Sequence, residues 1–287
     1  IFNKIIKKSN KIQKLFKTLS NSRNTIYAIN FSSGYAIPTN VYYNTIALGY
    51  PSAISGAGTL FGATGINYSS TVLLTLRNNL IYLNVNTGAT GVSACVRRAA
   101  GTANVAPANL NSSTDNNHYY ININAKNFIY YEAGNNGYAW NGVTEIAVNN
   151  INNDPCFNDL GIDNSSYKYF MSPREANSVF SPISFVGGAT IPVNLKQITG
   201  VASASDSTAP NIAGITTDYF GNIRQGNAGY AGAGTAPDAG AFEGAMIAYD
   251  PGCYLLPIEL MEFSGTVAEE VDVLSWSTLS EKNISHF

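Results

Sequence analysis

The chain has 287 residues and a formal net charge of −2, and 12% of its residues are charged, against about 25% in an average soluble protein. No basic stripe runs through its body, which excludes the usual electrostatic footprint of a nucleic-acid-binding protein. The longest apolar runs, such as residues 71–76, are much shorter than the ~20 residues of a membrane-spanning helix. We therefore expect neither a nucleic-acid partner nor a membrane span.

Residue usage favours strands and turns over helices. Asn occurs 35 times and Gly 26 times, while Tyr and Phe occur 18 and 13 times. Asn and Gly suit turns, whereas aromatic residues fit a pleated, half-buried sheet surface. The sequence therefore predicts an all-β fold.

The first 20 residues are basic. Lysine stands at six of the first 17 positions, and Ile5, Ile12 and Phe16 are spaced so that a helix could gather them on one face. A membrane-surface helix is one interpretation. We favour a basic first coil or capping segment over residues 1–20, because its first residues resemble the strand units that follow.

Internal repetition is the most informative pattern in the body of the chain. Residues 41–48 align with residues 76–83 at an offset of 35, which places Asn44 on Asn79. A third copy places Asn117 on Asn79 at an offset of 38. Repetition at about 20 to 50 residues is typical of solenoids, in which each coil buries its apolar side against the next.

The repeated Asn has a physical role at a bend. Its side chain hydrogen-bonds to nearby backbone and it tolerates the left-handed conformation, so it could both turn the chain and stack on the Asn of the next coil. Residues 28–30 recur as residues 65–67 at an offset of 37, so the pattern extends beyond one strand. We predict a right-handed parallel β-helix, with a β-sandwich with Asn-rich turns as the alternative.

The segment 187–244 carries a more specific pattern. It contains Asp218, Gly221 and Arg224, followed by Asp238, Gly240, Ala241 and Glu243. These residues resemble the closing segment of bacterial β-helix proteins of the choice-of-anchor type, with a pectin-lyase-like fold, which reads Asp-x-x-Gly-x-x-Arg and then Asp-Ile-Gly-Ala-Phe/Tyr-Glu. Ala239 replaces the usual Ile. With weaker matches at 78–81 and 154–157, the resemblance covers residues 25–250.

Four residues of this segment are candidates for a structural cap: Asp218, Arg224, Asp238 and Glu243. Arg pairs with carboxylates through two parallel hydrogen bonds. The group could therefore fasten the final coil, whose exposed edge would otherwise pair with another chain. A catalytic carboxylate group or a cation site is the alternative.

A second resemblance follows at the C-terminus. Residues 256–265 and 273–283 resemble the start of the immunoglobulin-like module that precedes the sorting signal in proteins exported by the type IX secretion system of Bacteroidetes. Leu279 replaces the common Ala of that pattern. The resemblance implies a secreted or outer-surface protein. We expect this chain to be a fragment of it, with the module incomplete and the signal and sorting sequences absent.

Catalysis is the main functional alternative, because many β-helices cleave polysaccharides. Pectinase-like hydrolases carry an Asn-Thr-Asp motif and a Gly-His, but residues 44–46 read Asn-Thr-Ile and neither His follows a Gly. The nearest acidic group, Asp154, Asp159 and Asp163 with Arg174, is spaced unlike a calcium loop. We assign no catalytic residue, no metal site and no cofactor, and leave calcium binding open.

Aromatic residues crowd between positions 119 and 140. Exposed rings in a row can stack on sugar rings, although alternate residues of a strand must fill the core. The candidates for a glycan-binding patch are Tyr119, Tyr131, Tyr138 and Trp140. The partner would be an extracellular polysaccharide or a host or cell surface.

The cysteines give little functional information. Cys95, Cys156 and Cys253 form no CxxC motif, so neither a zinc site nor a redox pair is expected. Three buried thiols are the preferred interpretation, and the disulfide state is left open.

Together these patterns predict two domains. A parallel β-helix would cover residues 1–253, with its closing segment at 187–253, and the incomplete immunoglobulin-like β-sandwich module would cover residues 254–287. The predicted function is a non-catalytic, adhesin-like or structural display stalk. A carbohydrate-binding module and a polysaccharide lyase or hydrolase of the pectinase-like β-helix class are the alternatives.

Overall fold

The fold is given by a computed structural model. It describes residues 4–7, 11–14, 25–32, 38–98, 109–122, 126–132, 173–187, 194–248, 260–268 and 271–278. The chain contains two compact units, Ile1–Pro251 and Gly252–Phe287.

The regular secondary structure of the described residues is entirely β-strand, which confirms the predicted all-β class. The strands are β1 (Lys4–Lys7), β2 (Lys11–Lys14), β3 (Ile26–Phe31), β4 (Pro38–Tyr42), β5 (Thr45–Leu48), β6 (Ile54–Ser55), β7 (Ala63–Tyr68), β8 (Leu73–Arg77), β9 (Leu80–Leu83), β10 (Val85–Asn86), β11 (Ser93–Arg98), β12 (His118–Ile121), β13 (Asn127–Glu132), β14 (Val179–Phe180), β15 (Phe185–Gly187), β16 (Asn194–Gln197), β17 (Ala202–Ser203), β18 (Ile247–Ala248), β19 (Leu260–Ala268) and β20 (Val271–Thr278).

Parallel pairing builds three main sheets in the first unit. Sheet 1 contains β1, β4 and β8, sheet 2 contains β3, β7, β11 and β13, and sheet 3 contains β2, β5, β9, β12 and β14. The chain passes through sheets 2, 1 and 3 in that order, first as β3, β4 and β5 and then as β7, β8 and β9. In the next passage two isolated parallel bridges replace the strand of sheet 1, between β11 and β12. We call each passage a repeat unit.

The strand register confirms the sequence alignment of the repeats. Ile46 pairs with Ile81 in sheet 3, which is the predicted offset of 35. Ile29 pairs with Ile66 in sheet 2, at the predicted offset of 37. The varied offsets come from the connections between strands, because the strands themselves stay in register.

The basic segment at the N-terminus continues the same sheets. Strand β1 pairs in parallel with β4, and β2 pairs in parallel with β5. The described parts of residues 1–20 are therefore strands that add to sheets 1 and 3, and not an amphipathic helix.

Sheet 3 is buried on both faces. In β9, Ile81 and Leu83 pack in the central core, whereas Leu80 and Tyr82 pack on the opposite face in a cluster that includes Phe185. A strand buried on both faces needs a continuous apolar run rather than an alternating one. This explains why β9 contains no charged residue and why a later segment of the chain must cover its outer face.

A ladder of Asn side chains runs across the repeat units at the bend between sheets 1 and 3. The Oδ1 of Asn79 accepts hydrogen bonds from the backbone N–H of Asn44 at 3.0 Å and from its side-chain amide at 3.1 Å. The Oδ1 of Asn117 accepts the same two bonds from Asn79, both at 3.0 Å. The Asn79 amide also donates to the carbonyl of Val41 at 2.8 Å. The ladder therefore satisfies backbone groups that are buried at the bend.

The left-handed turn lies one residue before the ladder. Tyr43, Asn78 and Asn116 have φ values of 53°, 58° and 56°. The sequence pattern predicted that a single Asn would both turn the chain and stack, but the structure divides these two roles between neighbouring residues. A buried Asn stacks, and the residue before it turns the chain with its side chain directed away from the ladder.

The closing segment lies along the side of the repeat units. The backbone N–H of Ala241 donates to the hydroxyl oxygen of Thr45 at 2.8 Å, and that of Gly240 donates to the carbonyl of Asn78 at 2.8 Å. Gly240 has a φ of 95°, and a Cβ there would lie 2.8 Å from the Thr45 hydroxyl. Only glycine allows this close approach without strain.

The second unit contains an antiparallel pair of strands, β19 and β20. Phe263 pairs with Trp276 and Thr266 pairs with Val273, and the register shifts between Leu260 and Glu262. The immunoglobulin-like identity of this unit stays a prediction.

The ladder leads to a first testable prediction. Asn79→Ala leaves the N–H of Asn44 and the carbonyl of Val41 buried without these partners, and each such group costs about 1–3 kcal/mol. We expect the free energy of unfolding to fall by about 3 kcal/mol, measured by urea denaturation. The control is Asn86→Ala, because Asn86 is exposed and a surface change of this kind costs about 0.5 kcal/mol or less. Equal losses in the two variants would contradict a stabilising role of the ladder.

Candidate functional site

Asp218 organises a tight turn in the closing segment. One carboxylate oxygen accepts hydrogen bonds from the backbone N–H groups of Phe220 and Asn222, both at 2.8 Å. The other accepts from the Asn222 side chain at 2.9 Å and from the backbone N–H of Glu243 at 3.0 Å. Gly221, with a φ of 87°, supplies the left-handed position inside the turn. Asp followed by Gly at these positions is a local turn signal that the sequence displays directly.

Arg224 is fully buried and connects the closing segment to the first repeat unit. Its Nη1 donates to the Glu243 carboxylate at 3.1 Å and to the carbonyl of Asp238 at 3.2 Å, and its Nη2 donates to the carbonyl of Gly240 at 2.9 Å. The guanidinium carbon lies 3.9 Å from the centre of the Tyr43 ring. Burial lowers the pKa of Arg224, and the negative charge of Glu243 opposes that shift.

The two carboxylates near Arg224 are bound by backbone groups. Asp238 accepts hydrogen bonds from the N–H of Ser207 at 2.9 Å and of Gly244 at 2.7 Å. Glu243 accepts from the N–H of Gln225 at 3.1 Å and of Asp238 at 3.2 Å. Burial raises the pKa of Asp238 to about 7 and also raises that of Glu243. These carboxylates hold loops together.

The four predicted cap residues are thus brought together as one buried group, which we call the carboxylate–arginine cluster. The closing segment lies against three successive repeat units, because the left-handed residues at their bends direct donors outward. Tyr43 and Asn78 both donate to the carbonyl of Pro210, at 2.9 and 2.8 Å, and Asn116 donates to that of Thr208 at 3.1 Å. The stabilising role of the cluster stays a prediction.

A groove of about 760 Å³ lies beside this cluster. Polar residues that line it include Lys196, Asp206, Asn222, Tyr230, Thr235 and Glu243. Its wall at residues 229–235 is rich in Gly and Ala, and the backbone N–H of Gly234 donates to the Tyr230 hydroxyl at 3.0 Å. No sequence pattern predicted this groove, because most of its lining residues belong to no motif and they come from distant positions in the chain.

The predicted tyrosine patch is only partly described. Tyr119 is fully buried and its hydroxyl donates to Glu175 at 2.7 Å, so its ring cannot stack on a sugar. Tyr131 is 9% exposed. Tyr138 and Trp140 lie outside the described residues, so the patch as a whole stays a prediction.

Glu175 is a buried carboxyl that the sequence analysis missed. It accepts hydrogen bonds from Tyr119 at 2.7 Å, from the side chain of Asn117 at 3.2 Å and from the hydroxyl of Ser178. The Ser178 hydroxyl in turn accepts from the backbone N–H of Asn117 at 2.9 Å, so the Asn ladder ends on this pair. Burial raises the pKa of Glu175 to about 7. No local motif could have shown it, because Tyr119 is 56 residues away in the chain.

Two other chemically reactive side chains are buried. His118 shares a hydrogen bond of 2.9 Å with the hydroxyl of Ser181, and burial lowers its pKa to about 4, so the imidazole is neutral at pH 7. Cys95 is a free, fully buried thiol whose pKa burial raises, which disfavours the reactive thiolate. Cys156 and Cys253 lie outside the described residues.

The segments described here show further features that bear on function. Among them, no group of three or more His, Cys, Asp or Glu side chains could hold a metal ion. The same segments contain no helix with the length and hydropathy needed to cross a membrane. Asp154, Asp159 and Asp163 lie outside them, and calcium binding stays untested.

No protein-family model, no curated protein and no solved structure matches the chain. Its function must therefore be argued from its own residues.

Arg224 gives the second testable prediction. Arg224→Met leaves Glu243 buried without its cation, which costs about 3–5 kcal/mol. We expect a loss of that order in the free energy of unfolding by urea denaturation. The control is Arg97→Met, because Arg97 is only half-buried, 5.5 Å from the Tyr131 ring, and its loss should be about 1 kcal/mol. Similar losses at the two positions would contradict a special role for the cluster.

Glu175 leads to the third testable prediction, which concerns the pH dependence of stability. The ordinary pKa of the carboxyl is 4.5 and its folded value is about 7, so the folded state binds the proton more tightly. Its contribution to stability is therefore complete below pH 4.5 and is lost as the pH rises through 7. Relative to Glu175→Gln, the wild type should lose on the order of 3 kcal/mol of unfolding free energy between pH 4.5 and 8.

Urea denaturation across that pH range checks this prediction. Asp206→Asn is the matched control, because the Asp206 side chain is half-exposed and its removal should change the pH dependence much less. If the wild type and Glu175→Gln have parallel pH profiles, Glu175 does not titrate as described.

Proposed function

We propose that the chain is part of a right-handed parallel β-helix that serves as a rigid, non-catalytic stalk with adhesin-like or display function, secreted from or held on the surface of a bacterial cell. The observation that carries this proposal is the in-register stacking of the repeat units, joined by the buried Asn ladder. A solenoid of this kind is a rigid rod whose length grows with every coil.

The fixed order of sheets supports the β-helix. Among the described strands, each of the four passages from β3 to β14 adds one parallel strand to sheet 2 and one to sheet 3, and the first two of them also add one to sheet 1. Parallel strands joined by a crossover connection in one sheet are right-handed in about 98% of cases, which supports the proposed hand.

The polar chemistry of the described residues supports a structural role. Backbone N–H groups donate hydrogen bonds to the carboxylates of Asp218, Asp238 and Glu243. The hydroxyl oxygen of Thr45 accepts a hydrogen bond from the backbone N–H of Ala241. Thr45 lies in the segment compared above with the Asn-Thr-Asp motif of pectinase-like hydrolases. Side chains engaged in this way hold the fold and are poorly placed to reach a polymer.

The surface location is supported by the two sequence resemblances. The four charged residues of the closing-segment pattern lie in one buried group, which is what we expect if they share a structural role. The C-terminal resemblance to a module that precedes a type IX sorting signal implies export from a Bacteroidetes cell.

Two assays test this proposal. Antibodies raised against the purified chain should label intact source cells, and the chain should release no reducing ends from pectin, alginate or xylan, with a pectinase as the positive control. Labelling only after lysis would contradict the surface location. Release of reducing ends would contradict the non-catalytic role and favour the lyase or hydrolase alternative.

A further inference from the structure

Two aromatic rings stand out from the closing segment. The Tyr219 and Phe220 side chains are 49% and 58% exposed, and their ring centres lie 5.3 Å apart in an edge-to-face arrangement. Phe220 also packs at 5.1 Å on the ring of Phe242, which is buried. The pair is therefore exposed on one side and supported from beneath. We call these two residues the aromatic turn.

The aromatic turn is held in place before any ligand arrives. The Asp218 carboxylate accepts the N–H of Phe220, and the N–H of Tyr219 donates to the carbonyl of Ala241 at 2.8 Å. A surface that is already ordered loses less conformational entropy on binding. This distinguishes the pair from exposed rings on a free loop.

The same turn continues into the groove described above. Asn222 and Ile223 line the groove and lie two and three residues after Phe220 in the chain. Because consecutive Cα atoms are 3.8 Å apart, Asn222 begins within about 8 Å of Phe220. The segment that carries the rings therefore leads into the wall of the groove.

The groove contains polar groups that the fold does not use. Among the described residues, nothing hydrogen-bonds or ion-pairs with the side-chain carboxylate of Asp206 or the side-chain ammonium of Lys196. A carboxylate only accepts hydrogen bonds and an ammonium only donates them, while the hydroxyl of Tyr230, which accepts from the N–H of Gly234, still has its own proton to donate. A ligand rich in hydroxyl groups suits all three, because a hydroxyl both donates and accepts.

We propose that the aromatic turn and the groove together bind a neutral oligosaccharide. The apolar face of one sugar ring packs on the ring of Phe220, with the ring of Tyr219 at its edge, and the hydroxyls of the next sugar bond to Asp206, Lys196 and Tyr230. A hydroxyl donates and accepts, and a pyranose ring has an apolar face, so one ligand class matches both parts of the surface. This site is independent of the proposed stalk role.

The charges and the size of the surface favour this occupant over others. Asp206 and Lys196 both line the groove and Glu243 is already paired with Arg224, so the free charges of the groove cancel and offer a uronic acid no excess positive charge. A stable protein partner buries about 800 Å² on each side, with an apolar centre. Two rings beside a polar groove suit a sugar chain better than such an interface.

Calorimetric titration of the full chain tests the proposal. The probes are neutral tetrasaccharides of β-1,4-glucose, β-1,4-xylose, β-1,4-mannose, β-1,4-N-acetylglucosamine and α-1,4-glucose, with α-1,4-galacturonate as the acidic comparison. We expect at least one neutral probe to bind, and to bind more tightly than the galacturonate. Phe220→Ala and Asp206→Asn should each weaken that binding by about tenfold or more.

The control is Leu60→Ala, because Leu60 is 56% exposed and does not line the groove. Its affinity should equal that of the wild type, and all variants should keep the wild-type melting temperature. If Phe220→Ala lowers it, Tyr219→Ser takes its place. The proposal is overturned if no neutral probe binds, if the galacturonate binds as tightly, or if Phe220→Ala and Asp206→Asn bind as the wild type does.

Discussion

Buried backbone groups at the bend between sheets 1 and 3 must find hydrogen-bond partners, and the rest of the fold depends on how this is done. A column of buried Asn side chains supplies the partners, each Asn bonding to the next repeat unit and to backbone beside it. An amide can do this because it donates and accepts at once. The same requirement keeps strands of neighbouring units in register, since a slip of one residue would break the ladder and turn the core side chains outward.

The ladder also determines where the closing segment lies. Each ladder Asn is preceded by a left-handed residue whose side chain leaves the bend on the outer side, and Tyr43, Asn78 and Asn116 all donate to the closing segment. Arg224 then packs on the ring of Tyr43 and donates hydrogen bonds to the nearby carboxylate and carbonyl oxygens. The carboxylate–arginine cluster is thus a consequence of the bends as much as of its own sequence pattern.

The two sides of the closing segment have different roles, since one packs on the repeat units and the other faces outward. Its buried side covers the outer face of sheet 3, and its outer side presents the aromatic turn and the groove. Tyr219 and Phe220 on that outer side are 49% and 58% exposed, whereas Pro210 and Thr208 accept the hydrogen bonds from the bends. Loops carried on a rigid framework are where binding residues concentrate in proteins. The proposed sugar site follows this arrangement, and the proposed stalk provides the framework.

The sequence by itself determined the strand content, the repeat offsets and the residues of the Arg224 pattern, because each of these is a local signal. Strand propensity is read residue by residue, a repeat is read by aligning one part of the chain with another, and Asp218 and Gly221 lie within a single turn. Only the tertiary structure decided which partners these residues meet. Glu175 is buried because Tyr119 and Asn117 approach it from a distant part of the chain, and Tyr119 is buried although Tyr120 beside it is half-exposed. The groove joins Lys196 to Tyr230 and Glu243. Exposure and proximity depend on the packing of segments far apart in the chain, and no local pattern encodes them.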